Sequence, residues 1–260
     1  MRLLFIGDVV GGPGRAGLSA AMPGLRDRFE PDLVVVNGEN SAGGIGITEK
    51  TANSLFTAGA DVITTGNHVY RHRDVYGYLT RTDRIVRPAN YPYANPGRGY
   101  TVVDAGGLRA GVINLSGAVG LRVARSPFHE ADGILDKIES DFTIVDFHAE
   151  VTSEKVAMGW HLDGRVAAVL GTHTHVPTAD ARVLPQGTAF ISDVGMTGSR
   201  NSVLGVKTEQ ALASLITQMP VRFETADDDI WVMGAVVTVN SQGLADSIEQ
   251  VMMPAPSPGS

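Results

Sequence analysis

Short apolar runs rich in β-branched residues recur along this chain, and each stops at a polar residue. They are Leu3 to Ile6, Leu33 to Val36, Val62 to Thr65, Thr143 to Phe147 and Val166 to Leu170. Runs this short and this branched read as strands buried on both faces, the pattern of an α/β protein. Helical spacing fills the gaps between them. Leu18, Met22, Leu25 and Phe29 share one face of a helix from Gly14 to Phe29, which Pro23 should kink or divide. A second helix is expected from Thr48 to Ala58, with Thr48 as its cap. Between Tyr100 to Val103 and Leu108 to Leu115, Gly106-Gly107 signals a hairpin, so the sheet should be mixed. Further on, Ala189 to Ser192 and Ile230 to Val239 read as strands, the latter long enough to close a second sheet. Two sheets face to face between helices fit this order better than one doubly wound sheet. A single domain over residues 1–253 is expected, with a disordered Pro/Ser/Gly-rich tail over 254–260.

Composition narrows the chemistry. With 260 residues, 43% of them hydrophobic, the chain can bury a core without disulfides. Its 21 basic and 28 acidic residues give a net charge of −7, with no long basic block, which argues against duplex nucleic acid as a partner. The absence of cysteine removes thiolate zinc sites, iron–sulfur clusters and cysteine nucleophiles, so any metal must sit on His, Asp, Glu or Asn. The first residues reach Asp8 too soon for a signal-peptide core, and no apolar run of about 18 residues exists to span a bilayer. A soluble cytoplasmic protein is the expectation.

The polar residues that end the runs carry the functional reading. Open α/β sheets gather ligands beyond the carboxyl ends of their strands. Here those ends are Gly7-Asp8, Asn37-Gly38-Glu39-Asn40, Thr65-Gly66-Asn67-His68, Asp146-Phe147-His148 and Gly171-Thr172-His173-Thr174-His175. A lone His-x-His pair in a loop is weak. Asp8, Glu39, Asn67 and His148 at equivalent positions after separate strands make a shared metal centre the better reading. The mixture of carboxylate, amide and imidazole suits two borderline-to-hard cations, iron or manganese, with zinc a further choice. Glu39 sits centrally enough to bridge them. Competing readings stand beside these: Asp8 as a helix cap, Asn40 and Asn67 as turn residues, His68 as a packing histidine or as a proton donor or acceptor. His72, His129 and His161 lack strand-end placement and read as structural or surface residues.

One pattern competes as a whole. Gly12-Pro13-Gly14-Arg15-Ala16-Gly17 matches G-x-G-x-x-G, and Glu39 ends the second strand, as in a dinucleotide-binding oxidoreductase. The fit is poor, because the glycines start well beyond Ile6, Pro13 lacks an N–H, and the histidines go unexplained. The glycines are expected instead to let the chain pass close over a metal centre, with the following helix N-terminus near a phosphate oxygen.

Taken together, these motifs resemble the calcineurin-like metallophosphoesterases, within them the YmdB-like branch of bacterial 2′,3′-cyclic nucleotide phosphodiesterases. The resemblance runs through Gly7-Asp8-Val9-Val10-Gly11, Val36 to Gly44, Gly66-Asn67-His68, Arg87-Pro88-Ala89-Asn90-Tyr91-Pro92, Asp146 to Glu150, Gly171 to His175 and Asp193 to Gly198. It implies a four-layer sandwich of two mixed sheets flanked by helices, a two-metal site and a homo-oligomer. Carried over residue by residue, it implies that Asp8, His175 and Asn40 hold one metal, that Asn67, His148 and His173 hold the other, and that Glu39 bridges them. Val10 stands where most of the superfamily has a histidine, and Glu39 replaces the usual aspartate; both departures are shared with the YmdB-like branch.

The expected reaction is hydrolysis of a 2′,3′-cyclic nucleotide, or of another small phosphodiester such as an RNA terminus, to a 3′-phosphate. A metal-bridging hydroxide would attack phosphorus in line while His68 protonates the departing ribose oxygen. Arg87, Asn90 and Tyr91 are candidate substrate contacts, or else a rigid turn around Pro88 and Pro92. A regulatory protein that senses nucleotides or metal, with incidental hydrolysis, is the alternative of a different class.

Overall fold

A computed structural model describes residues 1–256 of the chain. The strands, in chain order, are β1 (Arg2–Ile6), β2 (Asp8–Val9), β3 (Leu33–Asn37), β4 (Val62–Thr64), β5 (Ile85–Val86), β6 (Tyr100–Ala105), β7 (Leu108–Ser116), β8 (Phe142–His148), β9 (Ala168–Thr172), β10 (Arg182–Val183), β11 (Ala189–Ile191), β12 (Met196–Ser199), β13 (Ile230–Val239) and β14 (Ala245–Pro254). The helices are α1 (Gly11–Phe29), α2 (Glu49–Thr57), α3 (Val75–Arg81), α4 (Pro127–Leu135), α5 (Thr152–Leu162) and α6 (Thr208–Thr217). One sheet runs β2-β12-β13-β1-β3-β4-β5, with β14 paired to β13; the other runs β10-β11-β9-β8-β7-β6. Both mix parallel and antiparallel neighbours.

Side-chain alternation builds the layers. Leu3, Phe5, Leu33 and Val35 face the second sheet and meet Val112, Ile144 and Leu170 there. Leu4, Ile6, Val34 and Val36 point the other way, onto Leu18, Met22, Leu25 and Phe29 of α1 and Leu55 of α2. Ile113, Val145 and Phe147 cover the outer face of the second sheet beneath Ala131 and Ile134 of α4 and Met158 of α5. The result is four layers, helix, sheet, sheet, helix, in which strand residues of both parities are buried. Each fully buried Leu, Ile or Val contributes about 1.5–3 kcal/mol, which is why the strands read as continuous apolar runs.

Several expectations hold in detail. Thr48 caps α2 through a reciprocal pair of bonds with Thr51, and β6 and β7 pair antiparallel across Gly106-Gly107. Others are corrected. Pro23 does not divide the helix, which runs unbroken from Gly11 to Phe29; Pro23 and Ser19 both lie on its exposed face, where water can take the freed carbonyl. β13 does not close the second sheet: it lies between β1 and β12 in the first, paired also to the unforeseen β14. Of the tail, Pro254 ends β14 and Ala255 donates its N–H to the Ile230 carbonyl at 2.8 Å; residues 257–260 lie outside the described residues.

Two glycines of the G-x-G-x-x-G pattern are required by packing. A Cβ on Gly14 would lie 2.3 Å from the Thr197 carbonyl oxygen, and one on Gly17 2.4 Å from Ile230. They let α1 lie directly on β12 and β13. Among the described residues, no helix is long and apolar enough to cross a membrane.

Candidate metal centre

β1, β3 and β4 run parallel in the first sheet, and β7, β8 and β9 run parallel in the second. Because the sheets face each other, these carboxyl ends open onto one rim, and each delivers a polar residue there. Asp8 and His148 sit within strands and not in the loops expected for them.

His148 is the hub. Its Nε2 lies 3.1 Å from Glu39 Oε1, 3.1 Å from Asn67 Oδ1 and 3.1 Å from His173 Nδ1. Glu39 and His148 are fully buried, and Glu39, His148 and His173 each offer one atom to a common point. A chain of bonds sets the ring: His148 Nδ1 donates to Thr172 Oγ1 at 2.9 Å, Thr172 donates to Asp146 Oδ1 at 2.7 Å, and Asn37 donates to Asp146 Oδ2 at 2.9 Å. Committing Nδ1 this way leaves Nε2 for the rim, the arrangement that orients metal-binding histidines. Asn37 Oδ1 also accepts the Glu39 N–H at 3.1 Å.

The other half of the rim is looser. Asn40 Nδ2 lies 3.4 Å from Asp8 Oδ1 and 3.0 Å from His175 Nε2, and His175 Nε2 lies 3.7 Å from Asp8 Oδ1. Asp8 Oδ2 accepts the His173 N–H at 3.1 Å, joining the halves. His175 donates from Nδ1 to the Leu204 carbonyl at 3.0 Å. Asn40 turns its amide nitrogen, not its oxygen, toward Asp8 and His175; the oxygen lies 3.3 Å from His68 Nδ1. Half a turn of the carboxamide would present the oxygen to a cation on that side.

Electrostatics follow from this crowding. Burial would raise the Glu39 carboxyl, but the imidazoles of His148 and His68 overcome it and hold Glu39 well below the usual carboxylate range. Burial would lower His148, yet the charges of Glu39, Asp8 and Asp146 push it up to about 9. His173 is held down by burial and by the neighbouring His148. Desolvation lifts Asp146 to about 6.

The residues fit a cation. Glu39 Oε2 is buried and has no hydrogen-bond partner, an arrangement that costs about 1–3 kcal/mol or more if nothing binds it. A Cβ on Gly66 would fall 2.1 Å from that same oxygen and 2.3 Å from His148 Nε2, so glycine keeps the space between the donors open. The backbone is also strained here. His173 and His175 carry φ of 97° and 66°, conformations rare outside glycine and concentrated at functional sites. Asp193 holds the intervening residue, accepting from Thr174 N at 3.1 Å and Thr174 Oγ1 at 2.7 Å, and is paired in turn with buried Lys155 at 2.8 Å.

His68, Asn67, Glu39, Asn40, Asp8, His148, His173 and His175 thus come together at one rim. Arg87 and Asn90 are buried in the turn around Pro88 and Pro92. Arg87, 4% exposed, donates to the Pro88 and Ala89 carbonyls. Asn90 donates to the Ser116 and Arg125 carbonyls and accepts from Ser116 N. Both hold the Pro88–Pro92 turn against β7. Tyr91 lies nearer: burial and the Glu39 charge push its hydroxyl up to about 12. The supporting residues Asn37, Thr172, Glu150 and Lys155 were not singled out from sequence. Glu150, whose Oε2 accepts from His173 Nε2 at 2.8 Å, stands two residues past His148, and that adjacency was the available signal. His72 and His161 bond to Ile45 O and Asp132 away from the rim.

Comparison with known proteins places this geometry. The chain is 44% identical over 256 residues, 97% of each chain, to the 2′,3′-cyclic-nucleotide 2′-phosphodiesterase of Bacillus subtilis (strain 168). The solved structure of a hypothetical protein from Thermus thermophilus matches with a TM-score of 0.93 at 39% identity, covering 98% of this chain and 100% of that one. A phosphatase from Mycoplasma pneumoniae matches at 0.92 and 32%, covering 99% and 95%. A 5′-nucleotidase precursor, also from Thermus thermophilus, at 0.59 and 15% identity over 98% of this chain and 54% of that one, shares the fold alone. The architecture is accordingly the α/β two-sheet sandwich of metallophosphoesterases and 5′-nucleotidases. The family model for YmdB-like protein matches residues 4–251, and with that span and these relatives the chain belongs to the YmdB-like family.

Proposed function

We propose that this protein is a metal-dependent phosphodiesterase that opens 2′,3′-cyclic nucleotides to 3′-nucleotides. The observation that carries the reading is the buried, unpartnered Glu39 Oε2 among Asn67, His148 and His173, in a chain so similar to a 2′,3′-cyclic-nucleotide 2′-phosphodiesterase. Glu39, Asn67, His148 and His173 would hold one ion. Asp8, His175 and a turned Asn40 would hold a second, with Glu39 between them. Two divalent ions, iron or manganese by this donor set, supply a water whose pKa falls toward about 7 and positive charge for the phosphate oxygens.

The chain's own residues do the rest. Glu39 Oε1 and Asn40 Oδ1 lie 3.1 and 3.3 Å from His68 Nδ1, anchoring that ring nitrogen and leaving Nε2 to carry the proton exchanged with substrate. Hydrolysis adds water across the P–O2′ bond: phosphorus gains the hydroxyl, O2′ takes a proton from His68 because a ribose alkoxide is a poor leaving group, and the proton that the water gives up restores His68 through solvent. The Thr172–Asp146–Asn37 chain keeps His148 Nε2 turned to the rim throughout. The protein acts on a small phosphoester in the cytoplasm, as a homo-oligomer. The test is elemental analysis of protein purified without chelator, together with turnover of 2′,3′-cyclic AMP against a 3′,5′-cyclic control. About two transition-metal ions per chain and selective opening of the 2′,3′ ring are expected; a metal-free protein, or equal turnover of both rings, overturns the reading.

A further inference from the structure

Beside the rim lies a second concavity, of about 330 Å³, lined by Tyr70, Tyr91, Pro92, Asn95, Arg122 and Val123. Three separate segments bring these residues together, and each also reaches the candidate metal centre. Tyr70 belongs to the turn of Asn67 and His68, closed by the Val69 N–H to Gly66 O and Arg71 N–H to His68 O bonds. Tyr91 and Pro92 end the turn that Asn90 fixes to Ser116, at the carboxyl end of β7. Arg122 and Val123 ride on the loop that leaves β7 where Gly117 N donates to His148 O at 2.9 Å, and that returns where Ala124 N donates to Asn90 O at 3.1 Å. The concavity is therefore tethered to His68 on one side and to His148 on another.

Its floor is aromatic and held in place. The Tyr70 and Tyr91 rings lie 6.3 Å apart at 35°, and Tyr76 packs edge-on to Tyr70 at 5.5 Å. The Tyr70 hydroxyl donates to Pro96 O at 2.7 Å and the Tyr76 hydroxyl to Tyr70 O at 2.9 Å. Arg125, by contrast with its neighbour Arg122, is committed to Glu130 at 2.7 Å and to the face of Tyr93. Exposed Arg122 and the Asn95 amide are the polar groups at the edge. An aromatic floor with an exposed guanidinium and one amide is what a flat heterocycle needs: a face to stack on, a cation to cover it, and an edge donor and acceptor. The volume falls at the lower end of small-ligand pockets, about 300–1,000 Å³.

We propose that this concavity is the nucleobase subsite, in which the base of the cyclic nucleotide lies against Tyr70 under Arg122 while its phosphate reaches the rim. The inference rests on the phosphodiesterase reading, and its test separates the two. Adenosine, which has no phosphate, is titrated into the full chain by calorimetry. In parallel, kcat/KM is measured on metal-loaded protein for 2′,3′-cyclic AMP and for methyl riboside 2′,3′-cyclic phosphate, which has no base. Wild type should bind adenosine and prefer the nucleotide by about tenfold or more. Arg122→Ala, at an exposed position, and Val123→Glu, assayed alongside its thermal unfolding because Val123 packs on the core, should weaken adenosine at least fivefold and bring the preference toward one, mainly through KM. Tyr70→Ala should do so more strongly, with Tyr70→Phe close to wild type. No adenosine binding, or binding and preference unchanged in all three disruptive variants, overturns the subsite. Adenosine binding that these variants weaken, without turnover of either ester, keeps the subsite and overturns the phosphodiesterase reading instead.

Discussion

The two halves of the rim use the same residue types and differ in how they are held. Around His148 the side-chain atoms lie at 3.1 Å, sit at or just past strand ends of both sheets, and are braced by Thr172, Asp146 and Asn37, all fully buried. Around Asp8, Asn40 and His175 the spacings run unevenly from 3.0 to 3.7 Å, and the imidazole leans on the carbonyl of Leu204, a residue 47% exposed with φ of 53°. Ligands on strand ends inherit the rigidity of the sheet. Ligands braced by a surface loop do not, so the His148 half is held by the core and the His175 half in part by a surface loop.

The contrast can be broken at its hinge first. On the proposed reading Glu39 serves both halves, so Glu39→Ala should strip metal from the whole centre and abolish turnover, by metal analysis and 2′,3′-cyclic AMP assay; a variant still holding one ion would make Glu39 a ligand of one half only. Next in size is His68→Ala, expected to keep its metal yet lose about 10²–10⁴-fold in turnover of an alkyl leaving group; full activity, or loss of metal, removes the proton-donor role. Thr172→Val cuts the brace under His148 and should weaken metal about 10–100-fold. In wild type, graded chelation should release one ion well before the other, the first from the Asp8–His175 half, and His175→Ala should erase only that early phase. A single release step would show the halves to be equivalent.

The smallest effect lies in the loop that follows His175. Burial works against the Asp180 charge, but bonds from the hydroxyls of Ser192 and Thr178 and from Ser192 N hold its carboxyl below the ordinary range. A depressed carboxylate stabilises the fold above its unfolded value near 3.9 and loses that contribution as pH falls through the lower folded value. Asp180→Asn should therefore shallow the acid limb of the thermal-stability profile by about 1 kcal/mol or less, since the group is part-exposed, without moving the neutral-pH metal stoichiometry.

How much of this was legible depends on the range of the interaction. Asp8, Glu39, Asn67, His148 and His173 could be picked out because each ends a buried apolar run, and strand length and parity are local properties. Thr48 as a cap and the hairpin at Gly106-Gly107 are local too. Pro23 misled because its cost depends on whether the freed carbonyl meets water, and only the packed helix decides that. For Arg87 and Asn90 the choice between substrate contacts and a rigid turn lies in tertiary packing: in the fold Arg87 Nη1 and the Asn90 amide bond backbone groups.

The linear chain alone determined which residues end buried strands, and hence the candidate donor set, because hydrophobic periodicity is written residue by residue. Which strands became neighbours was decided only on folding. β13 went beside β1 and not into the second sheet, the two sheets' carboxyl ends came to share one rim, and Tyr70, Tyr91 and Arg122 met across it. Such choices depend on the burial of whole faces against one another, a property of the assembled layers that no single segment carries.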